Sequence, residues 1–126
     1  MNFIPVHLAR LEGSAMTLKY AADAIITSNI FVAPEAGNSE LTLGIRPEHL
    51  TACDVESGKL SATVKVVEAL GSDTYIYAEM PAGEQIIVRA QSDTRVRRGE
   101  TIGLHIEEQE EHLFEADGRS LARVGS

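Results

Sequence analysis

Cysteine occurs once in these 126 residues, at Cys53. One thiol closes no disulfide within the chain, which fits a reducing compartment. Basic residues are also short: 11 Lys and Arg face 19 Asp and Glu, for a formal net charge of −8. Residues 1–60 hold 7 acids and 4 bases, and residues 61–126 hold 12 and 7. Neither half is basic enough to neutralise phosphates, so nucleic acid is not an expected partner. No apolar run reaches the length of a membrane span, and the opening MNFIPVHLARLEGS lacks the charged-then-apolar layout of a signal peptide. The expectation is a soluble, intracellular chain.

The motifs of common chemistry are missing as well. There is no G-x-x-x-x-G-K-[ST] to cradle nucleotide phosphates, no G-x-G-x-x-G and no G-x-S-x-G. Gly13-Ser14 and Gly71-Ser72-Asp73 place hydroxyls in turns, but no histidine stands at a motif-defining distance from either. The four histidines, His7, His49, His105 and His112, contain no i, i+4 pair, so no metal site is expected. The acidic run HIEEQEEH at 105–112 lacks the spacing of a calcium loop and reads as a solvated loop. Arg95, Arg97 and Arg98 read as exposed beside a turn at Gly99. Nothing here supports an enzyme.

What is present is apolar content of 44%, enough for one folded domain over 1–126, in a pattern of period two. FIPVHLAR, AMTLKY, LTLGI, SATVKVVEAL, DTYIYAEM, QIIVRA, TIGLHI and EHLFEA read as strands, FIPVHLAR with looser alternation, and DAIITSNIFV as a short apolar piece broken by Ser28-Asn29, with Gly, Pro, Asn and Asp turns between them. In SATVKVVEAL, Val64 and Val66 share a parity and Val67 and Ala69 take the other, which predicts a β-bulge. No amphipathic helix is expected, and APEAGNSE at 33–40 is the expected internal seam. Many short strands at roughly 10-residue spacing argue an all-β barrel or sandwich, and a barrel removes exposed edges. Tyr75 and Tyr77 oppose the Ile76–Met80 face, and Ile87 opposes Ile86 and Val88. With Phe114 they are candidates for an outward apolar surface that meets another protein chain.

One further stretch is LGIRPEHL at 43–50, a strand stopped by Pro47 and followed by charge. Taken with MNFIP at 1–5, VKVVEALGSDTYIYAEM at 64–80, RRGETIGL at 97–104 and HLFEADGRSLAR at 112–123, it resembles one family end to end. That family is the C-terminal regulatory (TOBE) region of the ATP-binding subunits of carbohydrate importers, among them those for maltose, glycerol-3-phosphate and multiple sugars. The resemblance implies an all-β, OB-like barrel of short antiparallel strands that meets a second copy of itself about a two-fold axis. It implies further partners through the parent chain, the transporter's membrane subunits, and in some members a regulatory protein. It implies a place at the inner face of the bacterial cell membrane. ATP and Mg would belong to a nucleotide-binding domain upstream, leaving this region without a cofactor. Arg46, Pro47, Glu48 and His49 match the family's G-x-R-P-E signature, and Glu68, Gly71 and Asp73 its V-V-E-x-L-G and polar turn. The implied role of these seven is structural or interfacial, with Arg46 able to form a planar fork to carbonyls or to Glu48. The alternative reading is a stand-alone oxyanion-binding module, against which stand the lack of a repeat and a total of three lysines, Lys19, Lys59 and Lys65.

Overall fold

The alternating residues do form strands, and they fold into two antiparallel sheets around one core. The computed structural model describes residues 1–13, 15–21, 24–34 and 39–124, with the side chains of these except at 24 and 25. The strands are β1 (Asn2–Glu12), β2 (Ala15–Tyr20), β3 (Ala24–Ser28), β4 (Glu40–Ile45), β5 (Leu50–Cys53), β6 (Leu60–Leu70), β7 (Asp73–Glu79), β8 (Gln85–Gln91), β9 (Thr101–Ile106) and β10 (His112–Glu115). Short 3-10 turns occupy Pro47–His49 and Glu108–Glu110, and no α-helix occurs among the described residues. The first sheet has the order β10-β4-β1-β2-β3, and the second β5-β9-β6-β7-β8. Part of the Gly13-Ser14 turn and half of the seam at 33–40 lie outside the described residues.

Period two decides what each strand buries. Ile4 and Val6, Leu41, Leu43 and Ile45, Ile76 and Ala78, Ile86 and Val88, and Ile102, Leu104 and Ile106 all point into one shared core. Pro5 is tolerated inside β1 because the pairing to β2 begins only at His7, so the missing amide faces no partner strand. The predicted bulge in β6 exists, but one residue earlier than the parity of the valines suggested. Its register slips between Val64 and Val66, so Val64 is buried and Val66 turns outward at 51% exposure. A second slip, between Leu8 and Arg10, bends β1 where it leaves β4 for β2.

Two side-chain clamps join the sheets. The Asn2 amide donates to the Ile87 carbonyl at 2.8 Å and accepts from the Ile87 amide at 2.8 Å. β8 is an edge strand, and Asn2 supplies the pair of bonds that a neighbouring strand would have given it. Farther along, the Tyr20 hydroxyl donates to Glu84 and accepts from the Ala82 amide at 2.9 Å. That clamp fastens the end of β2 to the turn between β7 and β8.

Candidate interaction face

The outward side of β6, β7 and β8 carries the side chains that the core rejects. Cross-strand register places Val66, Tyr77 and Ile87 in one row and Glu68, Tyr75 and Arg89 in the next. Tyr75, Tyr77 and Ile87 therefore share one face, half-buried and bordered by the exposed Val66. The Tyr77 hydroxyl reaches Glu68 at 3.5 Å. Because Asn2 is pinned to Ile87, the next residue, Phe3, stands beside this row with 55% of its surface exposed.

Phe114 belongs to the other sheet, and Phe3 links it to the face. Their rings meet edge to face at 6.0 Å, and His112 stacks on Phe114 at 6.4 Å. Gly44 is the floor beneath them, paired with Phe3 on β1 and with His112 on β10. A Cβ at Gly44 would come within 2.8 Å of both Phe114 Cε2 and Met1 Sδ. The glycine of LGIRPEHL thus leaves room for Phe114 and Met1 to close over the sheet. Met1, Phe3, Val66, Tyr77 and Ile87 line a largely apolar groove of about 760 Å³. Sequence reasoning missed Phe3, Met1 and Val66. For Phe3 a signal existed, since it alternates with Asn2 and Ile4, which are buried.

The signature turn lies at one end of the same sheet. Pro47–His49 closes with the His49 amide on the Arg46 carbonyl at 3.0 Å. His49 then holds the neighbouring turn, its Nδ1 at 2.9 Å from Glu107 and its Nε2 at 3.7 Å from Glu110. Glu48 is held below the usual carboxylate range by its own backbone amide, with help from His49, Arg46 and Arg89. Arg89 pairs with Asp73 at 3.2 Å, so two separate motifs, R-P-E and L-G-S-D, converge on one guanidinium. Gly71 turns the chain into β7 at φ +68°, a conformation a side chain would strain. Arg46 itself is exposed, and among the described residues its guanidinium forms no hydrogen bond or ion pair. The fork to Glu48 is not formed; the turn is held by Pro47 and the backbone.

Among the described residues no three His, Cys, Asp or Glu side chains converge to hold a metal. Burial, helped by Asp54, pushes the Cys53 thiol up. Arg89 is paired with Asp73, which offsets its charge towards an anion.

With this geometry in hand, comparison with known proteins is direct. The TOBE domain family matches residues 43–114, from the signature strand to Phe114. The chain belongs to the TOBE family. Among curated relatives, this TOBE domain is 36% identical over 125 residues to the lactose transport ATP-binding protein LacK of Rhizobium radiobacter. It is 39% identical to the maltose/maltodextrin import ATP-binding protein MalK of Photorhabdus laumondii and 28% identical to that of Vibrio cholerae. The matches cover 96% to 98% of this chain and 34% of each relative, so the chain spans about a third of their length. Among solved structures, the cytoplasmic molybdate-binding protein ModG superposes with a TM-score of 0.68 over 89% of this chain and 94% of its own, at 13% identity. The fold is therefore the all-β, OB-like barrel that the family resemblance implied.

Proposed function

We propose that this TOBE domain is the regulatory and dimerising part of the ATP-binding subunit of a sugar importer. Its relatives are named for lactose and maltose/maltodextrin transport, and they align with it from end to end, which is the observation that carries the reading. A disaccharide-class sugar is the cargo those names favour, ahead of glycerol-3-phosphate. In this reading ATP and Mg are bound and hydrolysed by a preceding domain, and the barrel keeps two such subunits together while they open and close. The whole assembly works at the cytoplasmic face of the membrane, where its membrane subunits engage the parent chain. No helix among the described residues is long and apolar enough to cross a membrane. The structure supports the pairing role with a contiguous outward apolar face, from Val66, Tyr77 and Ile87 across Phe3 to Phe114. The exposed guanidinium of Arg46 and the Glu48–Arg89–Asp73 group supply a polar border of the kind that surrounds an interface core.

A two-fold contact presents each substitution twice, so one charge should act disproportionately. Sedimentation of the chain over a concentration series is the test. The expected result is a reversible dimer, weakened at least ten-fold by Phe3→Asp, a change at an exposed ring that leaves the core untouched. A strictly monomeric chain up to about millimolar concentration would overturn the pairing role. The shape of ModG favours a second reading, small-oxyanion binding. Saturable heat on titration with molybdate would support it, against the Asp73 carboxylate that pairs with Arg89.

A further inference from the structure

Glu111 begins the return of the chain to the first sheet, and it is the most deeply buried acid among the described residues, at 2% exposure. Its Oε2 has no hydrogen-bond partner. An oxygen buried without a donor makes the charged form of this carboxylate unfavourable. The surroundings come from four elements. Glu107 and Glu108 lie on its own turn, His105 on β9, and Lys59 just ahead of β6; with Glu111 they line a partly enclosed cavity of about 190 Å³ that Ile26 of β3 also walls. On the far side of the turn His49 is tied to Glu107 and Glu110. His112, next in the chain, stacks on Phe114. Burial and Glu108 push the Glu111 carboxyl up to about 7, and the charges of Lys59 and Arg123 oppose them.

The backbone of the same residue holds the segment that ends the described chain. Arg123 donates from Nη2 to the Glu111 carbonyl at 2.6 Å, and its guanidinium lies 5.3 Å from the Phe31 ring centre. The segment docks by further backbone bonds, Leu121 N to Leu113 O at 2.8 Å, Val32 N to Ala122 O at 2.7 Å and Val124 N to Ile30 O at 2.8 Å. We propose that Glu111 is a proton-operated latch: protonated, it stays buried and residues 119–124 stay docked on β10 and Phe31, and ionised, it turns to solvent through the cavity and loosens them. The cavity beside Lys59 and His105 is the route by which the proton exchanges with water. Phe114 follows three residues later on β10, so the latch lies just ahead of the strand that carries one half of the aromatic pair. The latch does not depend on whether the domain dimerises.

Nuclear magnetic resonance of the monomeric, dilute chain tests it, with the Glu111 carboxyl carbon and amide protection factors followed together. Linkage for a carboxyl that rises from the ordinary 4.5 to about 7 requires an opening constant about ten-fold larger at about pH 8 than at about pH 6. Protection at Leu121, Val124 and Val32, corrected for intrinsic exchange, should fall by that factor. Val64, bonded to Glu100 at 2.8 Å on the other sheet, should not change. Glu111→Gln should keep the segment protected at both pH values. If that variant fails to fold, Glu108→Gln should lower the midpoint of loosening and Lys59→Gln should raise it. Titration of Glu111 in the ordinary carboxylate range overturns the latch, as does an unmoved midpoint in the Glu108 and Lys59 variants. Loosening that persists in Glu111→Gln also overturns it and assigns the effect to His105 or His112.

Discussion

Removing the Asn2 amide should cost this barrel more than any other change to a residue so near the start of the chain. Asn2 is 5% exposed, and both its amide groups are engaged by the backbone of Ile87, each at 2.8 Å. In Asn2→Ala two hydrogen bonds vanish, and the Ile87 N–H and C=O lose their partners on an edge strand. Each lost bond is worth about 1 kcal/mol, and a polar group left unpaired in a partly buried place adds about as much again. Water can reach the groove beside Ile87 and recover part of that, so the expected loss is about 2–3 kcal/mol. For a chain of this length that corresponds to a fall in melting temperature of roughly 6–15 °C. Urea melts should show a lower midpoint at an unchanged slope, since the surface exposed on unfolding is the same. Asn2→Asp is the sharper probe: the carboxylate still accepts from the Ile87 amide but faces the Ile87 carbonyl with no donor, so it should not rescue. Phe3→Ser, next door and exposed, should change the melting temperature little. A melting temperature for Asn2→Ala within about 2 °C of the parent, less than 1 kcal/mol, would refute the idea that one side chain replaces a strand at this edge.

Three other outcomes are expected. Tyr20→Phe removes the bonds to Glu84 and to the Ala82 amide and should cost about 1–2 kcal/mol by urea melts; burial and Glu84 push the phenol up to about 12, so its contribution holds below about pH 10 and fades above it, with phenolate absorbance appearing late. Gly71→Ala forces a side chain into φ +68° and should cost about 1–2 kcal/mol, while Gly71→Asn should cost less because asparagine tolerates that region. Glu111 binds its proton more tightly in the folded chain than in the unfolded one, so its stabilising effect is complete below about pH 4.5 and is lost as pH rises through about 7, by about 3 kcal/mol in all; the stability difference between the parent and Glu111→Gln, measured at about pH 5 and about pH 8, should show that fall.

Most strands were legible because burial on one side imposes alternation, loosely in FIPVHLAR and plainly in DTYIYAEM, QIIVRA and TIGLHI. β5 was not read because Leu50–Cys53 has four residues and only Leu50 is fully buried, which leaves no alternation to detect. The bulge in β6 was legible as a break in parity but not in place, since Lys65 and Val66 are both exposed and valine fits either side of a twisted strand. Tyr75, Tyr77 and Ile87 came out on one face because parity is local. That Phe3 lies beside them was not readable, because it depends on which edge strand β1 meets 85 residues later in the chain. Glu111 was hidden for a related reason. Within HIEEQEEH all four glutamates look alike, and only elements distant in sequence, Ile26, Lys59 and Arg123, come together around one of them.

The family signature reads differently once its parts are placed. Gly44 gives the aromatic pair its floor, Pro47 stops the strand, His49 fixes the neighbouring acidic turn, and Glu48 feels the charge of Arg89, which is paired with Asp73 on the second sheet. The turn that follows β4 thus packs against β8 of the second sheet. The outward face spans that same junction, with Phe3 and Phe114 on one sheet and Tyr77 and Ile87 on the other. Its shape is therefore only as fixed as the angle between the sheets, which Asn2, Tyr20 and the signature turn hold from different points along the seam. A surface assembled across two sheets can be remade by a small relative shift of either, where a surface on one sheet could not. That places sensitivity to clamp residues in the face itself, although none of the clamps need touch whatever binds there.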